Sequence, residues 1–122
     1  MPDIMDRIDK ILADLNRIGG VEACIVVSRD GLYIRGILQK EQFAESISAM
    51  SATMLGAAET ATTELGKGIP NRVIVETEQG RLIAVGAGPK ALLIVIVTSD
   101  IGLGLILLGL EKAAEELKEL LI

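Results

Sequence analysis

Few side chains in this chain of 122 residues are of the types that carry out chemistry. Histidine, the commonest general base and metal ligand, is absent, which excludes histidine-dependent catalysis. The single cysteine, Cys24, lies in an alternating apolar run and is better interpreted as a small buried hydrophobic residue than as a nucleophile. No serine, cysteine or lysine has a recognisable catalytic partner, and paired carboxylates such as Glu115 and Glu116 follow a helical charge pattern. The sequence therefore predicts a protein that is not an enzyme and has no catalytic residue, metal or cofactor.

Three glycine-containing stretches are candidates for holding a phosphate group. Residues 86–91 fit a loose dinucleotide-binding pattern, but a strand rather than a helix is predicted to follow them. Gly102 and Gly104 open a predicted helix, yet the third glycine and the downstream acidic residue of a dinucleotide site are missing. After Lys67, Gly68 stands where a P-loop has serine or threonine. We therefore expect that the chain does not bind nucleotide itself.

Composition restricts the possible partners. The formal net charge is −5, with lysine and arginine scattered singly, which disfavours binding to nucleic acid and to anionic membranes. Residues 91–110 approach the length of a membrane helix, but their first part is short and β-branched and the polar residues 98–100 interrupt them. We therefore expect no membrane insertion. A single cysteine and a start that does not resemble a signal peptide favour the cytoplasm.

The elements that position these residues are predicted to follow the order α-β-β-α-β-β-β-α, an α+β fold formed by residues 1–122 as one domain. Asp3 can cap the first helix, whose apolar stripe ends at Gly19 and Gly20. Asp30-Gly31 is a hairpin signal between the first two strands. The strands are predicted at residues 21–28, 32–38, 72–77, 81–86 and 90–98. A long helix lies within residues 41–66, and an amphipathic helix with a solvated charged face begins near Ile101.

The long helix is unusual because its body consists of Ala, Ser, Thr, Gly and Met. One apolar stripe at helical spacing is predicted to pack on the core; it comprises Phe43, Ile47, Met50, Met54, Ala57, Ala61 and Leu65. The remaining surface carries small side chains that allow another backbone to come close, which indicates contact with a second subunit. A helix buried on both sides within one chain is the alternative. Replacing Ser51 with arginine is accordingly predicted to disrupt the dimer and leave the fold intact.

Strand composition indicates which strands lie inside the sheet. Residues 91–97 are apolar throughout, as in a central strand, whereas residues 72–77 alternate with polar residues and follow Pro70, as in an edge strand. If two copies joined their third strands antiparallel, the smooth helices would meet across a twofold axis. The predicted interface comprises Ser48, Ser51, Ala52, Leu55, Ala58, Glu59, Thr62, Arg72, Val73, Ile74, Val75 and Glu76.

The whole pattern resembles the Roadblock family, the dynein light-chain and GTPase-regulator domain. The resemblance rests on the element order, the first hairpin (residues 20–34), the Ala/Ser/Met-rich middle helix, and residues 93–98 with the following Gly-Leu-Gly-Leu. It implies a five-stranded antiparallel sheet of order 2-1-5-4-3, with the middle helix on one face and the two terminal helices on the other. It also implies dimers that form through the middle helices and the third strands.

The resemblance further implies a partner. Prokaryotic members of this short form commonly act with Ras-like small GTPases, as activators of hydrolysis or as scaffolds, while eukaryotic relatives serve dynein or lysosomal GTPase complexes. An activator could supply an arginine finger or reposition the catalytic residues of the GTPase. The available arginines are Arg29, Arg35, Arg72 and Arg81, and nothing in the sequence singles one out. The predicted function is a homodimeric regulator or scaffold of a small GTPase. The alternatives are a purely structural dimerisation adaptor and, with little support, a small-molecule sensor.

Overall fold

A computed structural model describes residues 3–98 and 102–122 and shows three helices against a five-stranded antiparallel sheet. The helices are α1 (Ile4–Asn16), α2 (Ala44–Glu64, preceded by the single helical turn Glu41–Phe43) and α3 (Leu103–Leu120). The strands are β1 (Val21–Ser28), β2 (Tyr33–Ile37), β3 (Val73–Thr77), β4 (Gly80–Gly86) and β5 (Ala91–Val97). The strand order β2-β1-β5-β4-β3 confirms the predicted α+β fold.

The positions of the central and edge strands are also as predicted. The strand β5 pairs with both β1 and β4, and six of its seven residues are buried. The strand β3 pairs with β4, with Val75 opposite Leu82, and forms one edge of the sheet. The strand that is apolar at every position is therefore central, with both faces covered, and the strand in which apolar and polar residues alternate lies at an edge.

Each face of the sheet has its own core. The helices α1 and α3 cover one face, where Ile8, Leu12, Ile106 and Leu110 are buried against alternate residues of the strands. The helix α2 covers the other face and buries Leu55 against the remaining strand residues, which are Ile25, Val27, Ala84, Leu92 and Ile94. The sheet is thus the middle layer of three, as predicted.

The predicted signals at the helix and strand ends are largely present. The Asp3 side chain accepts a hydrogen bond from the Asp6 amide at 2.8 Å and caps α1. At the β1–β2 turn only Gly31 adopts a positive φ (+88°). The predicted polar stop before α3 includes Ser99 and Asp100, which lie outside the described residues; the helix itself begins at Leu103. Within residues 3–98 and 102–122, no helix is both long and apolar enough to cross a membrane.

The orientation predicted for α2 is only partly correct, because Ile47 and Met54 of the predicted apolar stripe pack on the core but other members of the stripe do not. Ser48, Ser51 and Leu55, which were expected on the outer surface, are buried against the sheet, whereas Met50 and Leu65 are exposed. The burial of serine has a physical reason, because the Ser48 hydroxyl donates a hydrogen bond of 2.7 Å to the carbonyl oxygen four residues earlier. A hydroxyl satisfied within its own helix can face a core, and its small size lets the helix approach the sheet closely.

Candidate dimer interface

The surface of α2 that faces away from the sheet is wide and uncharged. Its exposed side chains between Glu45 and Glu64 are Ser46, Ala49, Met50, Thr53, Ala57, Thr60, Ala61 and Thr63. Met50 is the largest of them, with 64% of its surface exposed. A solvated helix normally carries lysine and glutamate on this side, so a smooth outer surface is better suited to contact with another protein. Sequence analysis recognised the smooth helix but placed Ser48, Ser51 and Leu55 on its outer surface, whereas the structure buries them against the sheet.

The C-terminal end of α2 loses contact with the sheet. Ser51 and Leu55 are buried, Ala58 and Thr62 on the same side of the helix are half-buried, and Leu65, which continues this stripe, is 74% exposed. All residues from 63 to 69 are exposed, and among them is a second large apolar side chain, Ile69. The core-facing stripe therefore runs past the core of its own protomer.

The predicted strand interface has the geometry of an available edge. In the part of the chain that the structure describes, β3 pairs with β4 alone, which leaves one side of its backbone without a strand partner. Val73 packs on the α2 side of the sheet and Ile74 on the side of α1 and α3. Arg72 and Glu76 point to the α1 and α3 side, because they alternate with Val73 and Val75. At this edge the backbone and Val75 are the groups best placed to contact another strand.

Glu59, a predicted interface residue, instead joins three segments of its own chain. Its two carboxylate oxygens accept hydrogen bonds of 3.3 and 3.2 Å from Nη1 of Arg29, at the end of β1. The Arg29 Nε and Nη2 groups both donate to the carbonyl oxygen of Gly88 in the β4–β5 turn, at 3.1 and 2.8 Å. Gly86 leaves room for this guanidinium, since a Cβ there would lie 2.6 Å from Nη2. The arrangement fixes α2 to one end of the sheet.

The remaining predicted helix residues lie on the sheet side as well. Ala52 packs against the α2-side core, Ala58 is half-buried, and the Thr62 hydroxyl donates to the Ala58 carbonyl oxygen at 3.1 Å. Ser48, Ser51 and Leu55 are already buried within one protomer and cannot contribute contacts to a partner. Ser48, Ser51 and Leu55 are therefore excluded from the predicted interface, the outer surface of α2 becomes a candidate contact surface, and the β3 half stays a prediction.

The other three arginines considered as fingers also form ion pairs within the chain. Arg35 donates two hydrogen bonds to the Asp9 carboxylate, at 2.9 and 2.8 Å, and the pKa of its guanidinium is raised by that hydrogen bonding and charge. Arg72 reaches Glu111 of α3 at 2.7 Å, and Arg81 reaches Glu76 at 3.1 Å. No geometric feature distinguishes one of these guanidinium groups as a finger aimed at a partner.

The burial predicted for Cys24 is confirmed. The side chain is fully buried, and its thiol donates to the carbonyl oxygen of Leu12 at 3.4 Å. Burial raises the pKa of the thiol to about 12, while a backbone hydrogen bond at Ile37 acts in the opposite direction. A thiol that stays protonated at neutral pH is a poor nucleophile. In residues 3–98 and 102–122, no group of three or more cysteine, aspartate and glutamate side chains is placed to hold a metal ion.

Comparison with known proteins identifies sequence relatives and structures of the same fold. The Roadblock/LC7 domain profile matches residues 7–97. An uncharacterized protein of Methanocaldococcus jannaschii is 36% identical over 111 residues, which cover 91% of this chain and 96% of that protein.

Two solved structures are similar over nearly the whole chain. MglB in a tetrameric arrangement has a TM-score of 0.88 at 19% identity and covers 98% of this chain and 91% of its own. The gliding protein MglB of Thermus thermophilus has a TM-score of 0.88 at 19% identity and covers 98% of this chain and 92% of its own. At such identities the similarity concerns the fold.

Proposed function

Because this chain belongs to the Roadblock/LC7 domain family, we propose that it is a homodimeric, cytoplasmic regulator or scaffold of a Ras-like small GTPase, without enzymatic activity of its own. This proposal rests on the uncharged outer surface of α2, together with the edge strand β3, which has no second strand partner among the described residues. A surface of this kind is suited to a partner that covers it, because exposed apolar and small side chains gain free energy when water is excluded.

In a dimer of this chain, both the outer surface of α2 and the edge of β3 would contact the partner. Antiparallel pairing of two β3 strands gives partners to the unpaired backbone groups and joins the two sheets. The same twofold axis places the two α2 helices on one side of the joined sheet, where their smooth surfaces can approach. A tetrameric arrangement is a property of the MglB neighbour; for this chain we propose the dimer.

The regulatory role acts through binding rather than through catalysis by this chain. The four candidate arginines are held by carboxylates of the same chain, which favours a mode that repositions the catalytic residues of the GTPase over one that inserts a guanidinium. The buried thiol with its raised pKa supplies no nucleophile. The proposed arrangement is a dimeric platform that a GTPase binds.

The test is to purify the chain and mix it with each Ras-like GTPase encoded in the same genome. Complex formation is followed by size-exclusion chromatography with light scattering, in the GDP state and with a non-hydrolysable GTP analogue, and GTP turnover is measured in parallel. We expect one GTPase to bind with a preference for one nucleotide state. Failure of every such GTPase to bind would refute the proposed partner class.

A second candidate is a structural dimerisation adaptor. It is favoured by the tetrameric arrangement of a structural neighbour, MglB, in which this fold is part of a larger assembly. In that case the chain would co-purify with a complex that lacks a GTPase and would leave GTP hydrolysis unchanged. The turnover assay therefore separates the two candidates.

A further inference from the structure

A cleft of about 570 Å³ lies at one end of the sheet. It is bordered by the end of α1, the start of β1, the connection from β2 to α2 and the first turn of α2. The described strand residues that line it belong to β1 and β5, so the cleft is separate from the β3 edge of the proposed dimer. Its volume is within the range of about 300–1,000 Å³ that is typical of sites for small molecules.

Part of the cleft lining is apolar. Leu38 and Ile47 pack against the α2-side core, and Ile96 of β5 lies opposite Ala23 of β1. Phe43, the only phenylalanine of the chain, stands directly before α2 and keeps 48% of its surface exposed. These side chains offer apolar contacts to a molecule that enters the cleft.

Polar side chains from three segments border the same cleft; they are Asn16, Glu22, Gln39 and Lys40. Glu22 is the extra residue of a β-bulge, because its two neighbours in β1 face consecutive residues of β5. Such a bulge changes the direction of a side chain. In the part of the chain that the structure describes, the side chains of Glu22, Gln39 and Lys40 have no hydrogen-bond or ion-pair partner. A carboxylate and an ammonium group thus border one cleft without pairing with each other.

The Asn16 side chain is a separate indication that the cleft has an occupant. Asn16 is the last residue of α1, and its Oδ1 atom is buried without a hydrogen-bond donor among the described residues. Folded proteins leave few buried polar atoms in this state, because such an atom has lost its water without gaining a partner. An N–H group on a bound molecule would supply the missing donor.

These groups together define a class of ligand. Glu22 and the Asn16 oxygen suit an ammonium group, whereas Lys40 and the Gln39 amide suit a carboxylate. Phe43 suits an apolar side chain. We propose that the cleft binds a free α-amino acid with a large apolar side chain. Such a molecule carries both charges beside one carbon atom, while each terminus of a peptide carries only one. The site goes beyond the proposed regulation of a GTPase and does not depend on the dimer.

Isothermal titration calorimetry with three related compounds tests the proposal. L-phenylalanine carries both charges, 3-phenylpropionate lacks the ammonium group, and 2-phenylethylamine lacks the carboxylate. We expect saturable binding of L-phenylalanine at millimolar concentration, and about tenfold weaker binding of each analogue because each loses one charge-assisted hydrogen bond. Absence of saturable L-phenylalanine binding would overturn the proposal, as would equal binding of all three compounds. Tighter binding of one analogue would point to a peptide terminus and would overturn it as well.

Two neutral variants assign the charges. Lys40→Gln should weaken the binding of L-phenylalanine and 3-phenylpropionate but not of 2-phenylethylamine. Glu22→Gln should weaken L-phenylalanine and 2-phenylethylamine but not 3-phenylpropionate. Both positions are exposed, so the far-ultraviolet circular dichroism should stay unchanged. Lys67→Gln is the matched control, because it removes an exposed lysine outside the cleft and should alter none of the three affinities.

Two results keep this proposal distinguishable from the homodimer. If Lys40→Gln binds all three compounds as Lys67→Gln does, the cleft is not the amino-acid site and the proposal is overturned. Light scattering on the same samples reports the oligomeric state independently. A monomer that binds L-phenylalanine with the expected pattern would support the cleft and refute only the homodimer.

Discussion

Met50 and Ser51 are consecutive residues of α2, and the 100° turn between them places one side chain in solvent and the other against the sheet. Met50 is 64% exposed on the outer surface, and Ser51 is 3% exposed against the sheet. Replacing each with arginine should therefore have two different effects. Met50→Arg is expected to weaken the dimer and preserve the protomer fold, whereas Ser51→Arg is expected to unfold the protomer, contrary to the expectation from sequence.

The magnitudes follow from burial. Fully burying a methionine side chain contributes about 1.5–3 kcal/mol, so the exposed 64% of Met50 offers about 1–2 kcal/mol per protomer at an interface. A symmetric dimer loses this twice, which raises the dissociation constant about 30-fold or more. Ser51→Arg introduces a long cation into a packed site, where overpacking costs about 1–3 kcal/mol and an unpaired buried charge several more. Domains of this size are stable by only about 5–15 kcal/mol.

The two effects are measured separately. Sedimentation equilibrium over a dilution series gives the dissociation constant, and urea unfolding followed by circular dichroism gives the free energy of unfolding. Met50→Ala provides a control without a new charge and should weaken the dimer by a smaller factor. A folded, dimeric Ser51→Arg variant would refute the orientation of α2, and an unaltered dissociation constant for Met50→Arg would refute its outer surface as the interface.

The internal contacts give three further predictions. Cys24 should react with a thiol reagent only after unfolding. Because burial raises the pKa of its thiol from 9.0 to about 12, the free energy of unfolding should fall as pH rises between those values, by up to about 1.4 kcal/mol per pH unit. A Cys24→Ala variant that keeps the full slope would contradict this. Glu59→Gln should lower stability by about 1 kcal/mol through its contact with Arg29, less at high salt, and a salt-independent loss would count against the ion pair. Gly80→Ala should lower the melting temperature, because the added Cβ would lie 2.7 Å from a backbone carbonyl oxygen of β5. Gly56→Ala in α2 is the control and should not lower it, because a Cβ at that position has no neighbouring atom within 4 Å. Equal melting temperatures for the two variants would argue against the close strand contact.

The sheet could be predicted from sequence because its strands differ strongly in composition. The strand β5 is apolar at every position and β3 alternates, so their central and edge positions follow from which faces must be covered. The turn at Gly31 and the cap at Asp3 were equally accessible, since each depends on a short-range preference of one residue type.

The orientation of α2 could not be predicted in the same way. The side chains of Ala, Ser, Thr and Met occur on two sides of this helix, so composition did not show which side packs on the sheet. Sequence analysis assigned Leu65 to the core-facing stripe and Leu55 to the outer surface, although Leu55 is buried on the core side and Leu65 is exposed because the C-terminal end of α2 runs past the core. The contact between Arg29 and Glu59 joins residues 30 positions apart and depends on the fold that brings them together.

The proposed homodimer forms through the outer surface of α2 and the edge of β3. The most direct measurement is the molar mass of the unmodified protein by light scattering at micromolar concentration. We predict a mass twice that of one chain, which falls toward the mass of one folded chain for Met50→Arg at the same concentration. A monomeric unmodified protein would rule out this homodimer.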